Sequence, residues 1–222
     1  AMQAAPYLKR LTARYALETP CKVVLVDYRL LPKARFPMGL EDCAAAYRWV
    51  TENAEALGID ARRLAVGGDS AGGALSIGVC LLAQERRMAK PCFQMLIYPV
   101  TDEGQNTPSM KQFTDTPMWN SKLNAKMWEM YLKGVSPAQR ENASPSAASS
   151  FAGIPPTYVE VSEFDCLRDE GNAFAKTLQE NGIATQLYLT KGTVHGFEIA
   201  EQNEIVLESV DRRIKALKEA FA

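Results

Sequence analysis

The sequence predicts an α/β protein in which a mostly parallel sheet is covered by helices on both faces. Apolar, strand-like runs alternate with helix-length segments along the 222 residues, and this alternation is typical of strand–helix–strand units with parallel strands. Several of the runs are continuously apolar, as expected of strands that are buried on both faces. The length suits one domain of this kind with a small insertion.

The first half of the chain contains two predicted strands and three predicted helices. Residues 6–18 show helical spacing of apolar side chains, and the apolar run CKVVLVDYRL over 21–30 predicts a buried strand. Residues 38–57 form a long amphipathic segment that predicts a second helix. RLAVGG over 63–68 predicts a short buried strand, and the alanine-rich segment 71–88 predicts the helix that follows it.

The second half repeats this pattern after an interruption. CFQMLIYPV over 92–100 predicts a strand. TYVEVSEFD over 157–165 alternates and predicts a strand that leads into a helix over 168–181. ATQLYLT over 184–190 predicts the last strand, and residues 204–221 predict an ordinary amphipathic helix with a solvated charged face.

The interruption lies between residues 101 and 150. Both of its ends carry Pro, Ser, Asn and Gly, whereas SKLNAKMWEMYLKG in its middle has a helical pattern. We expect an inserted lid with one or two helices, and a core formed by residues 1–100 and 151–222.

Composition excludes several classes of function. The net charge is −1 and the pI is about 6.0, so the chain lacks the basic face that binding to nucleic acid requires. The apolar runs are shorter than a membrane span, and the first residues lack the apolar stretch of a signal peptide. An odd number of cysteines without CxxC spacing indicates small buried residues in a reducing compartment. We therefore expect a cytoplasmic protein. The five cysteines are Cys21, Cys43, Cys80, Cys92 and Cys166.

A Gly-x-Ser-x-Gly pattern at residues 68–72 contains the candidate nucleophile. AVGGDSAGG places Ser70 between a predicted strand and a predicted helix. An abrupt strand-to-helix turn strains the serine backbone and leaves no room for side chains two positions away, where this chain has Gly68 and Gly72. The Ser70 hydroxyl would then lie beside a helix N-terminus, where the free N–H of Ala71 favours a developing negative charge.

The only histidine in the chain, His195, is the candidate base. It lies in GTVHGF, in the loop between the last predicted strand and the last predicted helix. Serine needs a base that accepts its proton, and loops that follow the carboxyl ends of parallel strands share one edge of the sheet. A structural or surface role is the alternative for a lone histidine. The flanking glycines, the loop position and the lack of another base favour catalysis.

A carboxylate that orients the imidazole is expected on a third loop of the same edge, after the strand at 157–165. The segment SEFDCLRDEG holds Glu163, Asp165, Asp169 and Glu170. Asp165 stands at the end of the strand and is the preferred candidate. Asp169 is second, because acidic residues in the first turn of a helix are common merely as partners of the helix dipole.

Four motifs stand in order along the chain: DYRLLPKARFP (27–37), GGDSAGG (67–73), DCLRDEG (165–171) and VHGF (194–197). Together they resemble the bacterial hormone-sensitive-lipase-like esterases of the α/β-hydrolase fold, in the subgroup whose elbow reads GDSAG. The resemblance covers nearly the whole chain. It implies a serine carboxylesterase that acts on short-chain acyl esters without cofactor or metal, with Ser70, Asp165 and His195 in the roles argued above. Cys166 stands where the family usually has proline.

This chain lacks the first strands and one further hallmark of the family. Family members carry a His-Gly-Gly motif that forms most of the oxyanion hole, and a central strand between the strand at 21–27 and the one leading to Ser70. The sheet must therefore close this gap, take a strand from another chain, or form part of a longer protein. Losing one oxyanion donor costs on the order of 100- to 1,000-fold in rate. We expect weak or no hydrolysis of activated esters unless another chain or a rearranged loop supplies a donor, and self-association through the exposed strand edge.

Five further residues are secondary candidates for contact with a substrate. They are Asp69, Trp119, Met127, Trp128 and Tyr131. For those in the lid, the alternative is that they only cover the upper edge of the sheet. Cys166 adjoins the candidate acid but lacks a base of its own, so it is a poor nucleophile.

A different class of function stays open as well: a truncated, catalytically silent hydrolase-fold protein that acts as a binding or scaffold module. The triad favours the enzyme, and the absent strand favours the scaffold. Amidase or peptidase activity is also compatible with this scaffold.

Overall fold

Four parallel strands form the sheet at the centre of the protein. The computed structural model describes residues 5–140 and 143–222. The strands run in the order β1-β2-β3-β4, and each neighbouring pair is parallel. Their bounds are β1 (Ala65–Asp69), β2 (Phe93–Ile97), β3 (Thr157–Phe164) and β4 (Thr185–Val194). Because all four carboxyl ends face one edge, the loops that leave this edge can bring their side chains together.

Helices cover both faces of the sheet. Six of them form these layers: α1 (Pro6–Glu18), α2 (Met38–Glu52), α3 (Ala54–Leu57), α4 (Ala71–Glu85), α8 (Arg168–Glu180) and α9 (Glu204–Ala220). On one face, α4 and α8 share an apolar cluster with β2 and β3, and on the other face α9 and α1 share a second cluster with the same strands. β2 is buried along its whole length, which explains its continuous apolar sequence. The predicted fold class is confirmed.

The predicted strand at 21–30 is wrong. This stretch forms no strand, and its apolar side chains Val23, Val24 and Leu25 are 39%, 52% and 48% exposed. A strand needs a neighbour that bonds its N–H and C=O groups. Among the described residues, β1 pairs with β2 on one edge and with no strand on its other edge. The apolar run therefore lacks the neighbouring strand that its sequence is suited to join.

The segment 101–150 is richer in helices than predicted. Its helices are α5 (Pro108–Gln112), α6 (Ser121–Tyr131) and α7 (Pro137–Arg140), followed by a 3₁₀ turn at Pro145–Ala147. Residues 141–142 lie outside the described part. Side chains from α5 and α6 share an apolar cluster with Cys166 and Leu167 at the end of β3, so the segment packs over the carboxyl edge of the sheet. Its division into core and lid stays a prediction.

The last helix departs from the predicted solvated charged face at one position. Arg213 of α9 is only 1% exposed. Its Nε donates to Glu160 Oε2 at 3.0 Å, and its Nη2 donates to Glu160 Oε1 at 3.1 Å and to Glu198 Oε1 at 2.7 Å. Burial alone raises the pKa of Glu160, but the charge of Arg213 and its hydrogen bonds outweigh burial and lower it to about 2. We call Glu160, Glu198 and Arg213 the buried ion cluster.

No helix among residues 5–140 and 143–222 is both long enough and apolar enough to cross a membrane.

Replacing the cation of the buried ion cluster should destabilise the fold. In Arg213→Met, two buried carboxylates lose their guanidinium partner, and breaking a buried pair in this way costs about 3–5 kcal/mol in the free energy of unfolding. Chemical denaturation measures this loss. The matched control is Arg10→Met, which breaks an exposed ion pair between α1 and Glu201 and should change stability little. Equal effects of the two substitutions would contradict a structural role for the cluster.

Candidate active site

The backbone of Ser70 turns sharply between β1 and α4. Its φ of 56° and ψ of −119° are rare for a residue with a side chain. The Ser70 N–H donates to the Ile97 carbonyl at 2.9 Å, and the Val100 N–H donates to the Ser70 carbonyl at 3.1 Å. The turn is therefore tied on both sides to the end of β2, and the hydroxyl of Ser70 is directed to the carboxyl edge of the sheet.

Glycine is required at two positions beside this turn. A Cβ added at Gly68 would lie 2.4 Å from the carbonyl carbon of Gly72, and a Cβ added at Gly73 would lie 2.7 Å from Cβ of Pro99. At Gly72 the nearest atom would be Asp69 Oδ1 at 3.8 Å, an ordinary contact. The expectation of crowding is right for Gly68 and wrong for Gly72: the backbone of Gly72 blocks a side chain at position 68, but the space beside Gly72 itself is open.

The structure brings Ser70, His195 and Asp165 into one hydrogen-bonded line. Nε2 of His195 lies 2.9 Å from Ser70 Oγ, and Nδ1 lies 2.7 Å from Asp165 Oδ2. The second oxygen of Asp165 accepts the Leu167 N–H at 3.0 Å. These three residues follow β1, β4 and β3, so the parallel arrangement of the sheet explains why they meet across 125 residues of sequence.

Asp169, the second candidate acid, has other partners. Its Oδ2 accepts the Ser109 N–H at 2.8 Å, and its Oδ1 accepts Arg168 Nε at 2.8 Å. Asp169 thus joins the start of α8 to α5. Glu163 accepts the Gly192 N–H at 2.7 Å, and Glu170 accepts the Thr101 N–H at 2.7 Å.

Two aromatic rings flank the imidazole of His195. The centroid of Tyr98 lies 4.4 Å from that of His195 and the centroid of Trp119 lies 6.1 Å from it. The His195 side chain is 9% exposed. Burial lowers the pKa of His195, but the charge and hydrogen bond of Asp165 act in the opposite direction, with further contributions from Asp69 and Glu198, so that the pKa is raised above its usual 6.5.

The secondary candidates lie at different distances from this line. Trp119 flanks His195, whereas Met127 and Trp128 are buried in the apolar cluster that holds Cys166. Tyr131 packs edge-on against Phe36 with centroids 5.8 Å apart. The packing role is thus observed for the residues of α6, and their contact with a substrate stays a prediction.

One carboxyl group and one thiol that adjoin Ser70 and Asp165 in the sequence have raised pKa values. Burial raises the pKa of the Asp69 carboxyl, and the charge of Glu198 raises it further. Burial also raises the pKa of the Cys166 thiol, with the charge of Asp165 acting in the same direction. A thiol of raised pKa carries little thiolate, which agrees with the inference that Cys166 is a poor nucleophile.

The sequence reasoning missed Tyr98 and Glu198 as neighbours of His195. Tyr98 directly follows β2, so it stands at the same carboxyl edge as the other three residues. Glu198 lies in the 3₁₀ turn Phe197–Ile199, one turn after His195. Position at a strand end was a signal that could have found Tyr98. The buried contacts of Glu198 depend on α9 and are not visible in the local sequence.

Comparison with known proteins gives related esterases. Residues 1–199 match a family described as alpha/beta hydrolase fold. Ethyl acetate hydrolase of Pseudomonas putida is 39% identical over 178 residues, which cover 79% of this chain and 55% of that protein. Carboxylesterase NlhH of Mycobacterium tuberculosis is 34% identical over 211 residues, which cover 93% of this chain and 66% of that protein. The chain therefore spans between about half and two thirds of the length of these relatives.

Solved structures agree with this relationship. The crystal structure of esterase LipW from Mycobacterium marinum matches with a TM-score of 0.90 at 34% identity, covering 96% of this chain and 67% of that one. The family match extends over most of the sequence. The parallel sheet, the sharp turn at Ser70 and the related esterases are all consistent with it. We conclude that this chain belongs to the alpha/beta hydrolase fold family, as its resemblance to the bacterial hormone-sensitive-lipase-like esterases predicted.

Proposed function

We propose that the protein is a serine carboxylesterase in which Ser70 is the nucleophile, His195 the general base and Asp165 the group that orients the base. The observation that carries this proposal is the hydrogen-bonded line from Ser70 Oγ through the imidazole to Asp165, with separations of 2.9 and 2.7 Å. Distances of this size are those over which a proton passes between a nucleophile and its base.

The position of Asp165 determines which nitrogen of His195 accepts the proton. An ionised carboxylate only accepts hydrogen bonds, so Nδ1 carries a hydrogen and donates it to Asp165. Nε2 then has a free lone pair, which faces the Ser70 hydroxyl. Asp165 therefore acts by holding the tautomer in which the basic nitrogen faces the nucleophile, and it stabilises the imidazolium that forms.

The reaction follows from these positions. Ser70 Oγ bonds to the acyl carbon while its proton passes to Nε2 of His195, and the carbonyl oxygen of the ester becomes an oxyanion. The tetrahedral intermediate then breaks its bond to the alcohol oxygen, which takes the proton from His195 and leaves. Water repeats the sequence on the acyl-enzyme, with His195 as base, and releases the acid.

Ala71 is the proposed donor to the oxyanion. It is the first residue of α4, and N–H groups in the first turn of a helix have no acceptor within the helix. Because Ala71 directly follows the nucleophile, its N–H supports negative charge that develops beside Ser70.

The proposed substrates are small acyl esters. Support comes from the relatives, one of which is named for the hydrolysis of ethyl acetate. Trp119 is the lid residue best placed to contact such a substrate, because its ring flanks His195, and Asp69 adjoins the nucleophile in sequence. The alternative of a silent scaffold protein is less well supported, because a scaffold has no need of an aligned nucleophile, base and acid.

The nucleophile can be tested with a fluorophosphonate probe, which reacts with activated serines. We expect the probe to label Ser70. Hydrolysis of p-nitrophenyl acetate should be weak unless another chain or a rearranged loop adds an oxyanion donor to the Ala71 N–H. Both reactions should be lost in Ser70→Ala and in His195→Ala, because each removes one end of the proton transfer. Mass spectrometry of the labelled peptide identifies the residue.

The control for this experiment is Ser150→Ala, which removes an exposed serine outside the site and should leave labelling and hydrolysis unchanged. A folded protein whose Ser70 is not labelled would contradict the proposal and favour the scaffold alternative.

The orienting acid can be tested by comparing two aspartates that lie four residues apart, Asp165 after β3 and Asp169 in the first turn of α8. Asp165→Asn should reduce kcat by about 10,000-fold, the size expected when an amide stabilises the wrong imidazole tautomer. Asp169→Asn should have a far smaller effect, because Asp169 joins α5 to α8 and does not contact the imidazole. Steady-state kinetics of both variants decides between them, and a greater loss in Asp169→Asn would reverse the assignment.

The pH dependence of kcat/KM provides a further test. His195 accepts a proton only while it is neutral, and its pKa is raised above 6.5. Activity should therefore fall as the pH decreases, with a midpoint above 6.5. Initial rates of ester hydrolysis between about pH 5 and 9 measure this midpoint. A midpoint below 6.5 would show that burial outweighs the neighbouring carboxylates.

A further inference from the structure

The buried ion cluster is connected to the candidate base, His195, through the ring of Tyr98. Tyr98 contacts the imidazole of His195 with its ring, and its hydroxyl donates to Glu198 Oε2 at 2.6 Å. The other oxygen of Glu198 accepts Arg213 Nη2 at 2.7 Å. Both oxygens of this carboxylate are therefore engaged, and Glu198 itself is 2% exposed.

The far end of the cluster is anchored in the centre of the fold. Glu160 lies in β3 and binds Arg213 through both of its oxygens. It also accepts hydrogen bonds from three hydroxyls, those of Tyr158, Thr190 and Ser209. Buried polar networks in which the groups are satisfied are rigid. A continuous series of contacts thus runs from β3 through α9 to Glu198 and Tyr98, and ends on the imidazole.

The charge of Glu198 also acts on His195 directly. A negative charge in a buried site favours the protonated form of a nearby imidazole, because little solvent screens it. Three carboxylates raise the pKa of His195: Asp165 after β3, Asp69 at the end of β1 and Glu198 in the loop of His195. The other titratable and charged groups around this site are Tyr98 after β2, whose ring lies against the imidazole, Arg213 of α9, which binds Glu198, and Tyr7 of α1 close to Gly196.

We propose that Glu198, held by Arg213 and Tyr98, is a positioning residue for His195: it fixes the imidazole through the Tyr98 ring and favours the imidazolium that forms during acyl transfer. This inference rests on the proposed function in that His195 is the base. It assigns the cluster a second task beyond stability. Asp165 holds the ring by its Nδ1 edge, and Tyr98 with Glu198 supports its face.

The test uses the fact that His195 is the only histidine in the chain. Its ring resonances in an NMR titration are therefore unambiguous, and the titration needs no turnover. Glu198→Gln should lower the pKa of His195 by about 1 unit, the order of size expected when a negative charge that acts on a buried imidazole is removed. The matched control is Glu201→Gln, the same substitution three residues further on. Its carboxylate faces solvent beside Arg10, so the shift should be far smaller.

Tyr98→Phe separates position from charge. It removes the hydroxyl that reaches Glu198 and keeps the ring and the carboxylate. We expect kcat to fall about tenfold, a fraction of the 100- to 10,000-fold that a placed general base contributes, without a lowered pKa of His195. Thermal unfolding confirms that each variant is folded at the temperature of the assay. If Glu198→Gln does not fold, the kcat of Tyr98→Phe decides the question.

Two results would overturn the inference. One is a titration of folded Glu198→Gln that coincides with those of the wild type and Glu201→Gln, and the other is a Tyr98→Phe variant with the kcat of the wild type. Failure of the proposed function is a separate result, because it appears as an unlabelled Ser70 in the folded wild-type protein. A cluster that served stability alone would lower the unfolding temperature in Glu198→Gln and leave the pKa of His195 where it was.

Discussion

The backbone conformation of Ser70 is the constraint on which the rest of the site depends. A positive φ at a residue with a side chain costs about 1–3 kcal/mol and persists only where the surroundings hold it. Here the end of β2 holds it, through the Ile97 carbonyl and the Val100 N–H. These contacts require β1 and β2 to lie side by side, so the direction of the hydroxyl depends on sheet pairing and not on the Gly-x-Ser-x-Gly pattern alone. The loops after β3 and β4 then need only follow the same sheet to reach it.

This dependence explains how much of the site could be predicted from the sequence. Ser70 stands in a pattern whose meaning is local, since a strand, a tight turn and a helix are all visible within a few residues. His195 and Asp165 were placed by a simple rule, that strand ends in a parallel sheet share an edge. That rule requires no knowledge of side-chain packing. The preference for Asp165 over Asp169 followed from the same rule, because only Asp165 stands at the strand end, and the hydrogen bonds of both residues agree with it.

Features that depend on distant partners could not be predicted in this way. The apolar run at 21–30 has the composition of a strand, but composition does not provide the neighbour that a strand must pair with. Arg213 looks like one of several charges on an amphipathic helix. Its position three and four residues from Val210 and Leu217 puts it on the buried side of α9, but the carboxylates that make this burial tolerable lie in β3 and in the loop after β4. In the sequence, Tyr98 belongs to an apolar run that predicts a strand. Only the fold shows that its ring packs against His195.

The surroundings of His195 reconcile two requirements that conflict. In the proposed mechanism, burial shields His195 from bulk water, but burial also disfavours the imidazolium that acyl transfer would form. A single carboxylate at Nδ1 offsets part of this penalty and constrains the ring along one direction only. A second buried carboxylate, itself fixed by a guanidinium and a phenol, adds negative charge without adding mobility. The same Arg213 that offsets the charge of Glu160 in β3 also fixes Glu198, so the stability of the fold and the proposed basicity of the site depend on one guanidinium.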